Sequence, residues 1–124
     1  MDPRSLARRH AIGRIAIGGA LAVAPSLAAR GWIGPAAASA GTRVMTTAMG
    51  ARDVAIGLGE LRALDARRPG AAAPWIMAAA LADAADLTAT LRVRDELPKL
   101  GVAGVTILAT GAIALAAWLH HELP

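Results

Sequence analysis

The chain has 124 residues, of which 56% are hydrophobic, with a formal net charge of +4 and no cysteine. This length corresponds to one domain, and the lack of cysteine excludes disulfides, thiolate metal sites and a cysteine nucleophile. Phe and Tyr are absent as well, so the apolar residues are mostly small or aliphatic. Soluble cores normally use large aromatic residues, whereas helices packed in lipid favour small ones. The composition therefore favours a membrane protein.

The basic residues lie mainly beside the apolar stretches. They are not interleaved with aromatic side chains that could stack on bases, so a nucleic acid is not the expected partner. Anionic lipid headgroups explain flanking positive charge more simply. We therefore expect the lipid bilayer to be the partner of this chain.

Taken in chain order, four apolar segments are predicted to be membrane-spanning helices. They cover approximately residues 12–29, 43–64, 74–93 and 100–119. Trp32 and Pro35 follow the first, Pro69 and Gly70 follow the second, and Pro98 precedes the fourth. The fourth carries no charge over about 20 residues, the length that a span requires. The prediction is an all-α, single-domain protein over residues 1–124, with four transmembrane helices in an up-down bundle.

The orientation is predicted from the lysines and arginines near the segment ends. The N-terminal side holds six: Arg4, Arg8, Arg9, Arg62, Arg67 and Arg68. The opposite side holds five: Arg30, Arg43, Arg92, Arg94 and Lys99. Because basic residues concentrate on the cytoplasmic side, we expect a multi-pass protein of the inner (plasma) membrane with both termini cytoplasmic.

Two other interpretations stay open. Arg8 and Arg9 before an apolar run that reaches Ala29 are also typical of a twin-arginine signal peptide, although Arg14 interrupts the run. The second and third segments also contain enough polar residues to form amphipathic helices of a soluble bundle.

Besides the arginines already counted at the segment ends, six ionisable residues fall inside the predicted spans: Arg14, Arg52, Asp53, Glu60, Asp83 and Asp86. A charge at the centre of a bilayer costs about 2.5–3.5 kcal/mol on insertion scales, so these side chains are expected to face the bundle interior. Matching the depths of antiparallel neighbours predicts two ion pairs, Arg52–Asp83 and Arg14–Glu60. Because four acids exceed two arginines, at least one carboxyl is expected to be protonated, hydrated or paired outside the chain.

These charges support two functional hypotheses. They cross-link the helices of an accessory or scaffold protein, which self-associates or joins a larger membrane complex. Alternatively, Asp53, Asp83, Asp86 and Arg52 line the path of a small proton- or cation-coupled carrier or channel.

We predict no catalytic, cofactor or metal site, and we do not expect an enzyme. Asp83 and Asp86 have a spacing that can hold Mg²⁺ against a phosphate, but no second acidic cluster accompanies them. His120 and His121 are adjacent on a helix, so their side chains diverge. Glycines in the first and fourth segments predict close helix packing: Gly13, Gly18, Gly19, Gly101, Gly104 and Gly111.

Three short motifs resemble those of one family. Gly50-Ala-Arg-Asp-Val-Ala-Ile-Gly-Leu-Gly is similar to the G-x-R-D pattern in the second helix of an uncharacterised, actinobacterial-type family of small four-helix membrane proteins. Ile12-Gly-Arg-Ile and Ala82-Asp-Ala-Ala-Asp-Leu resemble further elements of that family. The resemblance implies an integral membrane protein of unknown activity. By position it points to Arg14, Arg52, Asp53, Asp83 and Asp86.

Overall fold

The computed structural model describes residues 1–66 and 68–123, and this part of the chain is helical without any strand. Five α-helices follow one another: α1 Pro3–Val23, α2 Pro25–Ile33, α3 Ala40–Asp65, α4 Ala73–Arg92 and α5 Lys99–Glu122. Two 3₁₀ segments, Gly34–Ala38 and Arg94–Glu96, lie in the connections. The all-α prediction is confirmed. Arg67, which entered the orientation count, lies outside the described residues.

The first predicted segment does not form one helix over residues 12–29. The α1 helix already begins at Pro3, where Asp2 caps it by accepting a 2.8 Å hydrogen bond from the backbone N–H of Ser5. It ends before Pro25, because a proline excludes the residue that precedes it from the α-helical region. The chain bends by 107° at this break. By contrast, α3, α4 and α5 lie close to the predicted segments 43–64, 74–93 and 100–119.

Helices α1 and α3 pack antiparallel with their backbones in close contact. An added Cβ at Gly18 would lie 2.7 Å from the carbonyl oxygen of Gly50, and one at Gly57 would lie 2.8 Å from that of Ala11. Real side chains essentially never approach that closely, so only glycine fits at these positions. This close approach brings the polar side chains of the two helices within reach of each other.

The remaining helices complete the bundle. The α4 helix lies antiparallel to α3, with the Trp75 indole over Gly59. The α5 helix packs along α4 and contacts the other helices near its two ends. Gly101 lies against the backbone of Trp32, and Leu119 belongs to an apolar cluster with Ala7 and Leu64. Of the six glycines predicted to pack closely, Gly18 and Gly101 do so; the other four have nothing within 4 Å of an added Cβ.

One helix in the described part of the chain, α5, is long and apolar enough to cross a membrane. A second would qualify if α1 and the following segment to Ala38 counted as one broken span. Four transmembrane helices are therefore not supported by helix length and composition. The reason is the charge that α3 and α4 carry: Arg52, Asp53, Glu60, Asp83 and Asp86.

Candidate functional site: a buried ion-pair network

Arg14 is the residue that joins three helices. From the middle of α1, its Nη1 donates to Asp53 Oδ1 of α3 at 3.0 Å. Its Nη2 donates to Asp83 Oδ2 of α4 and, at 3.4 Å, to the carbonyl oxygen of Ala79. The side chains of Arg14, Asp53 and Asp83 are 6%, 10% and 15% exposed, so these salt bridges are buried. Charge-assisted bonds of this kind are strong when they are shielded from water.

Arg52 extends the network along α3 and α4. It holds Asp86 with two hydrogen bonds, from Nη1 to Oδ1 at 3.1 Å and from Nη2 to Oδ2 at 2.8 Å. It also donates to Oδ1 of the adjacent Asp53, at 3.1 Å from Nε and 3.0 Å from Nη2. Since Asp53 Oδ1 also accepts from Arg14, one carboxylate connects both arginines. Asp83, Arg14, Asp53, Arg52 and Asp86 thus form one continuous ion-pair network.

Both predicted ion pairs are wrong, because each arginine binds other carboxylates than the predicted one. Arg14 pairs with Asp53 and Asp83 instead of Glu60, and Arg52 pairs with Asp86 instead of Asp83. The prediction put Arg14 near the start of the first helix. Because α1 begins at Pro3, Arg14 lies near its midpoint, level with the middle of α3 and α4. The expectation that the acids face inward holds, since Asp53 and Glu60 are both buried.

His10 is a member of the polar interior that the sequence reasoning missed. Its Nδ1 lies 3.2 Å from Glu60 Oε2, with side-chain exposures of 8% and 0%. His10 is one helical turn before Arg14, and Glu60 lies two turns after Asp53. In an antiparallel pair of helices this spacing places His10 opposite Glu60 once Arg14 is opposite Asp53. The spacing was visible in the sequence, but the predicted segment started too late to include His10.

A chain of hydrogen bonds ties α2 to the same region. The Nε1 of Trp32 donates to Thr90 Oγ1 at 3.1 Å, and Thr90 Oγ1 donates to the carbonyl oxygen of Asp86 at 2.7 Å. Trp32 therefore fastens the short helix beyond the bend onto α4.

The network has one unpartnered polar atom. The Nε of Arg14 is buried and has no hydrogen-bond partner in the described part of the chain. Both terminal nitrogens of the same guanidinium are engaged. A cavity of about 400 Å³ adjoins this side chain and also borders Asp53, Asp83 and Asp86.

The chemistry available here is electrostatic. The described residues contain no group of three or more His, Cys, Asp or Glu side chains placed to hold a metal ion. Asp83 and Asp86 are each bound by an arginine. His120 and His121 are exposed at the end of α5. The site is a buried cluster of Arg–Asp salt bridges in a helical protein. Such a cluster can join helices or compensate the charge of a bound group.

In comparisons with known proteins, no protein family, curated protein or solved structure matches the chain. The resemblance of the Gly50–Gly59 segment to a membrane-protein family therefore stays a prediction.

Proposed function

We propose that this chain is a polytopic protein of the inner membrane, with an accessory or scaffold role and no catalytic activity. The observation that carries the proposal is the distribution of polarity. Charged side chains such as Arg14 and Glu60 are buried and paired, while Leu81 and Ile107 at mid-helix are each 72% exposed. A soluble bundle would bury its apolar side chains and expose its charged ones. A hydrocarbon environment favours buried, paired charges and exposed apolar side chains.

The multi-pass topology follows from neutralisation of the intrahelical charge. An α3 helix of 26 residues is about 39 Å long, which exceeds the roughly 30 Å of a hydrocarbon core. The buried charges of α3 and α4 make ion pairs inside the bundle, with each other and with Arg14 and His10 of α1, instead of facing lipid. We therefore assign α3, α4 and α5 as full spans, and α1 with α2 as a span broken at Ala24.

The orientation rests on the same charge count as before. Leu6 and Leu123 pack on one apolar cluster, so both chain ends lie at one end of the bundle. We assign that end to the cytoplasm because it carries the larger number of arginines.

The scaffold role rests on the pairing of the arginines with carboxylates and on unused small-residue surface. Arg14 and Arg52 are bound by carboxylates of other helices, which suits a cross-link better than an exchange site. Gly104 and Gly111 are two turns apart on α5 and meet nothing within 4 Å. Small residues of this kind let a second transmembrane helix approach closely, so we propose self-association or a larger membrane complex through α5.

Single-cysteine labelling tests the topology, because the chain has no cysteine of its own. Mid-helix variants carry the cysteine at Ile17, Leu58, Leu81 or Ile107, which are all exposed. End variants carry it at Ser5, Ala66, Ala38 or Glu96, which are also exposed. Each variant is treated with a membrane-impermeant maleimide in intact vesicles and again after detergent is added.

We expect the mid-helix cysteines to react only after detergent, and the two end groups to react from opposite sides of the vesicle. Labelling of Leu81→Cys and Leu58→Cys in intact vesicles, with Ile107→Cys protected, would leave α5 as the one span and overturn the multi-pass proposal.

Self-association is tested by cross-linking in detergent. Gly104→Leu combined with Gly111→Leu should reduce the oligomer without altering the helical content, since open space surrounds both positions. Gly101→Leu is the contrasting variant, because Gly101 lies against the backbone of Trp32 and its change should disturb the fold itself. A wild-type chain that stays monomeric would refute the scaffold proposal in this form.

The cavity beside Asp53, Asp83 and Asp86 favours a second candidate, a proton- or cation-coupled carrier acting through these residues and Arg52. Reconstitution in vesicles distinguishes the two roles. Loss of protein level or oligomer in Asp83→Ala supports the scaffold. Normal assembly with altered cation or proton flux supports the carrier.

A further inference from the structure

The bend at Ala24 and the attachment of α5 leave an open chamber in the middle of the bundle. The α5 helix contacts α2 at Gly101 and α1 near Leu119, and between these points it stands away from α1. The resulting cavity of about 400 Å³ falls in the range of 300–1,000 Å³ typical of small-molecule sites. Ile17 of α1 and Leu108 of α5, 59% and 70% exposed, line it and mark its opening.

The walls of this chamber differ in chemistry. One side is apolar, with Ile17, Leu21, Val105 and Leu108. The other side is the ion-pair network, from which Arg14, Asp53, Asp83 and Asp86 line the space. Such a surface suits a molecule that has an apolar body and one polar end.

The charges of the network do not balance. Asp53, Asp83 and Asp86 contribute three carboxylates, and Arg14 and Arg52 contribute two guanidinium groups, so the ionised network carries one net negative charge. The neighbouring His10–Glu60 pair adds no net positive charge. Arg9 also borders the chamber, but its side chain is exposed and makes no ion pair among the described residues. A buried negative charge of this kind is stabilised by a cation.

A carboxylate oxygen of the network remains available for a ligand. Asp83 accepts from Arg14 through Oδ2, while its Oδ1 makes no hydrogen bond among the described residues. Asp83 borders the chamber, so this free acceptor oxygen suits a ligand that brings a hydrogen-bond donor. The indole of Trp32 also lines the space and adds an electron-rich face for a cation.

We propose that this chamber binds an amphipathic amine. The protonated amine donates to Asp83 Oδ1, and the alkyl body packs on Ile17, Val105 and Leu108. The occupied site has no net charge. This inference goes beyond the scaffold role and does not depend on it. The exposed apolar rim gives the ligand a lateral entrance.

The test uses three probes that share one chain: 2-aminodecan-1-ol, decane-1,2-diol and 2-hydroxydecanoic acid. Binding to the 124-residue chain in lipid nanodiscs is measured by isothermal titration calorimetry, with empty nanodiscs as the reference for partitioning into lipid. We expect the amino alcohol to bind at least about tenfold more tightly than the diol, and the acid more weakly still, because only the amine supplies the missing positive charge. Equal binding of the diol would show a site for neutral lipid chains and overturn the proposal.

Three variants localise the binding. Asp83→Asn removes one carboxylate and should weaken the amino alcohol by about tenfold or more. Ala112→Leu fills the chamber without touching the network and should abolish binding while circular dichroism stays unchanged. Asp95→Asn, at a carboxylate 96% exposed outside the chamber, should bind as wild type. If Asp83→Asn does not fold, Ala112→Leu decides: unchanged affinity in that variant places the binding elsewhere and refutes the site.

Discussion

The α1–α3 interface and the α5 helix are held in opposite ways. Between α1 and α3, glycines bring the backbones together, and directional bonds such as those from Arg14 to Asp53 define which residues face each other. The α5 helix has no charge between residues 100 and 119, packs along α4, and meets α1 and α2 only near its ends. Only 11% of the residues in its most apolar stretch are buried.

The difference shows that register and environment are specified by different residues. A salt bridge between helices tolerates little sliding, because moving one helix by a turn separates the charged atoms. Apolar packing is non-directional, so the contacts of α5 restrict its position less and leave room for the chamber beside it. Three pairs of variants measure this contrast, each with one change in a region that should matter and a matched change in one that should not.

The largest effect is expected for Arg14→Ala. It removes the only basic partner of Asp83 among the described residues and one of the two partners of Asp53, both within the bundle. Leaving a buried charge uncompensated should lower the free energy of unfolding by about 3–5 kcal/mol. The readout is SDS denaturation in detergent micelles, followed by circular dichroism. Arg8→Ala, which breaks an exposed pair with Asp65, should cost no more than about 1 kcal/mol. Equal losses would mean that the buried network does not hold α1.

A slightly smaller effect is expected for Leu119→Ala at the end of α5. Leu119 is fully buried in the apolar cluster, so its truncation should cost about 2–5 kcal/mol in the same assay. Leu108→Ala, at a residue 70% exposed on the same helix, should change stability by no more than about 0.5 kcal/mol. A large loss for Leu108→Ala would show that the middle of α5 is packed against the bundle, contrary to the open chamber.

The smallest effect is expected for Gly18→Ala in α1. The added methyl group would meet the Gly50 carbonyl, and forcing the helices apart should cost about 1–3 kcal/mol. Gly19→Ala is the neighbouring control, with open space around its Cβ, and helix propensity should make it neutral or stabilising by up to about 1 kcal/mol. Comparable destabilisation of the two variants would contradict the close contact between α1 and α3.

Much of the architecture was predictable from local patterns. The ends of α3, α4 and α5 follow prolines, glycines and caps such as Ser39, which accepts a hydrogen bond from the Thr42 N–H. The inward orientation of Asp53 and Glu60 was predictable because they are seven residues apart and share one helix face. The first helix was misjudged because its polar N-terminal turns were excluded from an apolar segment, although Asp2 and Pro3 form a normal helix start.

Partner choice within the polar interior was not predictable in the same way. Matching helix midpoints gives the depth of a charge only to within about a turn, and His10, Arg14, Glu60 and Asp53 are separated by similar intervals. A shift of α1 by a few residues exchanges one set of pairs for another. Only the glycine contacts between α1 and α3, together with the bend at Ala24, select the observed set.

The sequence by itself determined the helical class, the uncharged fourth segment and the number of charged side chains within the helices. These features depend on composition and on spacing along one chain. The tertiary structure alone decided that Arg14 serves both Asp53 and Asp83, that Glu60 meets His10, and that a chamber opens beside them. Those features depend on distances between helices far apart in the sequence. Such distances are set by how closely the helix backbones pack, which no single helix encodes.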